Sequence, residues 1–372
     1  MLDQTAKNLD LMETFSGIRG IYNQSITELL AYQYAFCFAR LFFSQKDVLV
    51  IAGDTRPSTL SLKKAMLKAL ADYGMRKVLD LGIVPVQVAE CAIVKFGAKG
   101  GVYITASHNE PKYNGWKLLK EDGCILYPEQ ADRLIASVHN SADYEPIAKD
   151  SSLEIIDRNL EATAGYLQYL LEKIGAESQD KIKKAEFKVL ADPNGGSALA
   201  VLSQLFEELG VTAEIVNQIP GVFNRLIEPK VESLSYLSNK MQTSDFDLAV
   251  GFDCDADRME IVLSPDSVFA QKMGVPNVSG NYVLALTCDS ILNGTKGQVV
   301  PTNDVTSYLV RDVIKKYQAV TLEVEVGEVN VVTAMEKNNS LIGGEGSNGG
   351  EIVFPIKCRD AIMTMVLALK LM

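Results

Sequence analysis

The sequence predicts an α/β protein built from three consecutive units, each a mixed sheet flanked by helices. Two patterns carry that expectation. β-branched apolar runs of strand length alternate with amphipathic runs of helix length, and three of the strand-like runs end in an Asp-containing turn, at Asp54, Asp192 and Asp253. The length points the same way, since 372 residues exceed what one hydrophobic core organises.

The elements follow in order. Thr27 can cap an apolar helix that runs to about Phe43, and Val48 to Ala52 is a β-branched run typical of a buried strand. The turn Gly53-Asp54-Thr55-Arg56-Pro57 leads into a second amphipathic helix, which Gly74 stops. Short strands are expected near Lys77 to Leu81 and Gly101 to Thr105. His139 to Ser152 is polar and aperiodic and reads as a linker, which assigns residues 1–148 to the first unit. The second unit, 149–245, opens with a helix near Leu160 to Ile174. The strand Phe187 to Ala191, the turn Asp192 to Gly196 and a helix from Ser197 to Gly210 follow. The third, 246–372, opens with the strand Phe246 to Gly251, then a helix near Tyr282 to Leu292 and strands near Gln298 and Thr321. Asp360 can cap a final apolar helix with no polar stop behind it. Its apolar surface is expected to favour self-association or pairing with another chain.

Composition excludes some functions. A net charge of −11 argues against a duplex nucleic-acid binder, which needs a basic face, but leaves room for an anionic small substrate in a local basic pocket. Cys37, Cys91, Cys124, Cys254, Cys288 and Cys358 form no C-x-x-C pair, so reduced thiols are expected. The start lacks a signal-like pattern and no apolar run is long enough to span a bilayer. A soluble cytoplasmic protein without a membrane partner is expected.

Four segments can carry chemistry. In Gly251-Phe252-Asp253-Cys254-Asp255-Ala256-Asp257-Arg258, three carboxylates on alternate positions repel one another unless a cation lies between them. All-oxygen ligation favours Mg²⁺ or Mn²⁺. A calcium loop of the EF-hand type is excluded, because its sixth and twelfth positions are Arg258 and Ser264. The segment Thr105-Ala106-Ser107-His108-Asn109-Glu110-Pro111, with Lys117 after the Asn114-Gly115 turn signal, places a Ser, a His and a Lys on one polar loop behind a buried strand. A helix capping box from Ser107 to Glu110 is countered by Pro111. The other histidine, His139, is expected to be solvated. In Gly343 to Gly350, Glu345, Ser347 and Asn348 can hydrogen-bond a hydroxyl-rich ligand, with glycines permitting close backbone approach; a flexible turn fits equally. Arg19, between Gly17 and Gly20 on a mobile turn, suits a bidentate grip on phosphate.

Taken in order, these segments resemble the α-D-phosphohexomutase family, which contains phosphoglucomutase, phosphomannomutase and phosphoglucosamine mutase. The likeness runs over nearly the whole chain. It implies that Ser107 carries a phosphoryl group and that one Mg²⁺ per chain is held by that phosphoserine with Asp253, Asp255 and Asp257. Arg258 and Arg19 would stabilise charge in transfer, and Lys117 and His108 would move the proton, Lys117 with a lowered pKa. Glu345, Ser347 and Asn348 would hold the sugar. The implied reaction moves a phosphoryl group between C1 and C6 of a hexose phosphate through a 1,6-bisphosphate, with a glucose 1,6-bisphosphate-type activator. The sequence departs from the family in four places, one of them the turn Gly327-Glu328-Val329-Asn330, which lacks the Lys that many mutases place nearby. Glu110 stands where Pro is usual, beside Ser107; the sugar loop lacks the frequent His; and the Arg-x-Ser-Gly-Thr phosphate loop of the family's fourth domain has no counterpart. An open cleft of that kind would impair turnover. A sugar-phosphate phosphatase or a non-catalytic sugar-phosphate-binding protein is the alternative.

Overall fold

A computed structural model describes residues 10–140, 144, 147, 152–346 and 349–372. The first sheet comprises β1 (Met12–Thr14), β2 (Gly17–Ile21), β3 (Val48–Gly53), β4 (Lys77–Ile83), β5 (Gly100–Ile104), β6 (Tyr113–Lys120) and β7 (Glu154–Asp157). Its order is β1-β2-β6-β5-β3-β4-β7. The half β5-β3-β4-β7 is parallel, and β6, β2 and β1 extend it antiparallel. The strand Val48–Gly53 reads as a continuous apolar run because it is covered on both faces. Leu49 and Ile51 join one core with the helices Glu28–Phe42, Thr59–Tyr73 and Pro128–Asn140. Val50 and Ala52 join the other with the helices Val86–Phe96 and Asn159–Ile174. Local signals hold where they were read: the Thr27 hydroxyl accepts from the Leu30 N–H at 3.2 Å, and Gly74 ends its helix at φ +99°.

The second sheet contains β8 (Lys188–Asp192), β9 (Thr212–Ile215), β10 (Leu248–Phe252), β11 (Met259–Val262) and β12 (Asn277–Val278), in the order β12-β11-β10-β8-β9. In the third unit, β13 (Val299–Asn303) pairs parallel with β14 (Val320–Val324), and β15 (Ile342–Gly343) pairs antiparallel with β16 (Ile352–Val353). A parallel bridge between Thr302 and Gly344 joins the two pairs.

All three units repeat one motif. A strand lies parallel to its neighbour, a loop leaves its carboxyl end, and the chain returns antiparallel. The loops are 105–112 between β5 and β6, 253–258 between β10 and β11, and 344–351 between β15 and β16. These are the three segments in which the sequence placed chemistry. Open α/β sheets bind ligands at the carboxyl ends of their strands for this topological reason. The expected repeat of Asp54, Asp192 and Asp253 is therefore out of step. Asp54 and Asp192 end the neighbouring strands of the first two units, whereas Asp253 begins the loop itself.

Several expectations are corrected. β10 pairs with β8, so the boundary at 245/246 falls inside the second sheet; β7 pairs with β4, so the first unit does not end at 148. Asn114-Gly115 is no turn. Both residues lie in β6, because β2 places Gly20 opposite Asn114 and Arg19 opposite Gly115, a pairing that overrides the local signal. Lys117 is therefore on a strand, not on the loop with Ser107, and Arg19 is on β2, not on a mobile turn. His139 is exposed, as expected, but it lies in the last turn of a helix and not in a linker, with Nε2 2.8 Å from Glu13 Oε2. The final helix, Ala361–Leu371, does not offer an apolar face. Every residue from 361 to 369 is buried against the helices Gly280–Leu292, Asn159–Ile174 and Ala176–Ala185, the fate of a helix that is apolar all round. That removes the ground on which self-association was expected. Among the described residues no helix is long and apolar enough to cross a membrane.

Gly115 tests the β2–β6 register. A Cβ there would lie 1.9 Å from the Ile18 carbonyl oxygen. Gly115→Ala is expected to lower the thermal midpoint by several degrees, the result of an overpacking cost of about 1–3 kcal/mol. A variant that melts like the parent contradicts the pairing.

Candidate active site

The Ser107 loop is held from beneath by a buried arginine. Arg56 Nη2 donates to the carbonyls of Ser107 and Asn109, both at 2.6 Å, and Nη1 donates to those of Glu110 at 2.9 Å and Tyr113 at 3.0 Å. Its Nε donates to Asp54 Oδ2 at 3.1 Å. Thr105 completes the frame: its hydroxyl donates to Asp54 Oδ2 and accepts from the Ser107 N–H, each at 2.7 Å. So fixed, Ser107 takes φ +51°, a conformation that costs a residue with a Cβ about 1–2 kcal/mol. Its Oγ lies 3.5 Å from His108 Nδ1. The Glu110 carboxylate turns away from Ser107, and Oε1 accepts from the Ile227 N–H at 3.3 Å.

The acidic loop is built the same way. Arg225 bonds Asp192 at the end of β8 and donates from Nη2 to the Phe252 carbonyl at 2.7 Å, directly before Asp253. The first unit grips the loop too: the Val86 N–H donates to the Asp255 carbonyl and Gln87 Nε2 to that of Ala256, both at 3.1 Å. Asp253, Asp255 and Asp257 are fully buried, and one oxygen from each lies within 4.8 Å of the others. Asp253 Oδ2, Asp255 Oδ1 and Asp257 Oδ1 have no hydrogen-bond partner. Burial pushes the Asp253 carboxyl far above the ordinary range, and the charges of Asp255 and Asp257 push it further. Three converging, unpartnered carboxylate oxygens are the donor set of a hard divalent cation, and the residues fit Mg²⁺.

Cations surround the cluster. Lys117 Nζ lies 2.9 Å from both Asp255 Oδ2 and Asp257 Oδ2. Burial disfavours its ammonium, but Asp255, Asp257 and Glu328 outweigh burial and raise its pKa. The lowering expected for a proton acceptor is thus reversed, because the neighbours that decide it are acids. Arg258 Nε lies 3.7 Å from Asp257 Oδ1. Arg19, half-buried on β2, senses Asp255, Asp257, Arg258 and Arg359, with burial lowering its pKa most. His108 is pushed down to about 4 by burial and by Arg258 and Arg19, so its ring is neutral at pH 7.

Arg359 is a further residue the sequence did not flag. It is buried just ahead of the last helix, with Nη2 3.2 Å from Asp257 Oδ2, Nε 3.3 Å from Glu328 Oε2 and Nη1 3.5 Å from Glu345 Oε2. Glu345 Oε1 accepts from the Gly327 N–H at 2.9 Å and from Asn303 Nδ2 at 3.3 Å. The glycines beyond Glu345 do permit a close approach, but to the acidic loop's own backbone. A Cβ on Gly350 would lie 2.0 Å from the Asp257 carbonyl oxygen, and one on Gly349 2.3 Å from that of Met259. Ser347 and Asn348 lie outside the described residues.

The chain matches, in order, phosphoglucomutase/phosphomannomutase alpha/beta/alpha domain I over residues 13–145, domain II over 164–265 and domain III over 279–372. The chain belongs to the phosphoglucomutase/phosphomannomutase family. A phosphoglucomutase/phosphomannomutase of Thermococcus kodakarensis is 33% identical over 361 residues, covering 95% of this chain and 75% of that protein. A candidate phosphoglucosamine mutase of Pyrococcus horikoshii is 29% identical over 333 residues, 89% of this chain and 69% of the relative. Two solved structures share the fold. A candidate phosphomannomutase from Thermus thermophilus superposes with a TM-score of 0.84 at 22% identity, covering 97% of this chain and 80% of that one. The Paramecium phosphoglucomutase pp63/parafusin, in an open form, gives 0.78 at 17% identity, covering 96% and 69%. The matches to domains II and III leave the split between 265 and 279, and the pairing of β12 with β11 carries the second sheet to Val278.

Arg56 and Arg225 escaped sequence reading because their partners lie far along the chain: backbone carbonyls of residues 107–113 for Arg56, and Asp192 with the Phe252 carbonyl for Arg225. The available signal was Asp54-Thr55-Arg56 directly behind a buried strand. Arg56→Met leaves Asp54 buried without its cation and is expected to cost about 3–5 kcal/mol, measured by denaturant unfolding. Arg56→Lys keeps the charge but not the planar fork, so it should recover only part of that loss. For the acidic loop, Mg²⁺ at about 100 times its Kd should stabilise the protein by about 2.7 kcal/mol. That rise in thermal midpoint should vanish in Asp255→Asn and after chelation by EDTA.

Proposed function

We propose that this chain is a phosphohexomutase that carries its phosphoryl group on Ser107 and transfers it to and from a hexose phosphate. The observation that supports this best is Lys117. A strand of the first sheet sets its ammonium against two carboxylates of the second sheet's loop, one motif away from Ser107. Phosphoryl transfer asks for positioned charge more than for covalent chemistry. Mg²⁺, held by Asp253, Asp255, Asp257 and the phosphorylated Ser107, would supply the charge that neutralises the transferring group.

In the forward step the bond from phosphorus to Ser107 Oγ breaks as a bond to a sugar hydroxyl oxygen forms. The hydroxyl proton leaves to neutral His108, and Ser107 Oγ takes a proton from the charged Lys117. A loose transition state places little demand on either group. Arg19 and Arg258 stabilise the charge on the phosphoryl oxygens, and Glu345, Ser347 and Asn348 orient the sugar. The reaction runs between C1 and C6 through a 1,6-bisphosphate, and a glucose 1,6-bisphosphate-type activator loads Ser107. All six cysteines are free thiols, which fits a reducing compartment such as the cytoplasm.

Intact mass decides the reading. Incubation with glucose 1,6-bisphosphate and Mg²⁺ is expected to add one phosphate to the wild type and none to Ser107→Ala. Steady release of inorganic phosphate without sugar product would replace the mutase by a phosphatase. An unchanged mass with sugar-phosphate binding would make the protein a binding module. A second test uses His108 in Mg²⁺-free protein. Its folded pKa of about 4 lies below the ordinary 6.5, so between those values the unfolded chain binds more protons. Its contribution to stability is present above pH 6.5 and is lost as pH falls through 4. The thermal midpoint of His108→Gln should decline less steeply over that window than that of the wild type.

A further inference from the structure

We propose that Arg359 is a positioning residue that couples occupancy of the acidic loop to sugar binding at Glu345, an inference that rests on the mutase reading above. Each of its three guanidinium nitrogens meets a different carboxylate. Those carboxylates belong to three separate segments: Asp257 on the acidic loop, Glu328 at the start of the helix Glu328–Asn338, and Glu345 on the third loop. The Arg359 N–H adds a bond to Glu328 Oε2 at 3.1 Å, which fixes the backbone beneath the fork. A lysine point charge could not meet three acids in three directions; the planar fork can.

Asp257 divides its two oxygens between tasks. Oδ2 takes both Lys117 at 2.9 Å and Arg359 at 3.2 Å, which orients the carboxylate and leaves Oδ1 toward the cluster without a hydrogen-bond donor. Glu345 is divided likewise. Oε1 is filled by Gly327 and Asn303, and only Oε2, with Arg359 at 3.5 Å, has capacity for a further donor. The same guanidinium therefore touches both acids, at the oxygen of Asp257 that faces away from the cluster and at the open oxygen of Glu345. The close backbone contact of Gly349 and Gly350 with residues 257 and 259 sets the two loops at a fixed separation, so a change of charge on one is felt by the other through Arg359.

The direction of coupling follows from charge. With no cation at Oδ1, Asp257 competes with Glu345 for the guanidinium. A divalent cation at Oδ1 withdraws charge from Asp257 and shifts the hold of Arg359 toward Glu345. That fixes the Glu345 carboxylate in one orientation for a sugar hydroxyl. Cation and sugar phosphate should each tighten the other's binding by the same factor.

Calorimetry tests this with glucose 6-phosphate and mannose 6-phosphate, each titrated with and without Mg²⁺ into the wild type, Arg359→Lys, Arg359→Met and Glu345→Gln. In the wild type Mg²⁺ is expected to tighten the better sugar phosphate about five-fold or more, the lower end of ordinary site coupling. In Arg359→Met that ratio should fall to about 1 while both ligands still bind, and Arg359→Lys should restore part of it. A folded Arg359→Met with the wild-type ratio overturns the inference, even if its thermal midpoint drops, because a merely structural role would lower stability and leave the ratio alone. Should Arg359→Met fail to fold, Glu345→Gln takes its place. It leaves Arg359 on Asp257 and Glu328, and an undiminished ratio there overturns the inference equally. A wild type that binds neither sugar phosphate would remove the mutase reading, and this inference with it.

Discussion

Three carboxylates packed into a volume that excludes water are the constraint on which the rest of the site is built. A buried charge without a partner costs several kcal/mol, and three together repel. The acidic loop meets that cost with cations brought from elsewhere: Lys117 from the first sheet, Arg359 from the third unit, and Arg258 from its own end. Each cation needs a rigid mount, so each lies on or beside a strand or helix terminus. Asp253 carries the residual strain, with its carboxyl held toward the neutral form. The arrangement is stable enough to exist and unbalanced enough to take a divalent cation.

That constraint explains why three units meet as they do. A motif repeated three times aims three loops at one place, since each leaves the carboxyl end of a parallel strand and returns antiparallel. Under two of these loops sits an Asp–Arg pair: Arg56, held by Asp54, bonds carbonyls of the Ser107 loop, and Arg225, held by Asp192, bonds the Phe252 carbonyl where the acidic loop departs. Under the third the corresponding strand ends in Asn303, which bonds Glu345. Buried arginines act here as templates for backbone, and the chemistry-bearing side chains stand on those templates.

Neighbours also reverse the electrostatics that residue types suggest. An isolated buried lysine loses its proton easily, yet Lys117 keeps it because its pocket is walled by acids. An isolated histidine titrates near neutrality, yet His108 stays neutral because burial, and then the arginines it faces, disfavour its charged form. Lys117 is therefore the charged member of the pair and His108 the neutral one.

The sequence alone determined the fold class, most elements and the chemical loops. Those signals are local: three alternating acids behind an apolar strand, a Ser-His pair behind another, Thr27 and Gly74 at helix ends. It misread Asn114-Gly115 as a turn and Arg19 as mobile, because strand pairing to residues nearly a hundred positions away overrode short-range propensity. It placed a unit boundary inside the second sheet, since nothing local distinguishes a strand that opens a sheet from one that joins it. The final helix, apolar on every side, gave no sign of which helices cover it. Only the tertiary structure decided that Arg56, Arg225 and Arg359 matter. Arg359 lies 102 residues from Asp257 in sequence and 3.2 Å from it in space. An ion pair is a property of where two chain segments meet, and that meeting is written in the packing of sheets and helices, not in either residue's neighbours.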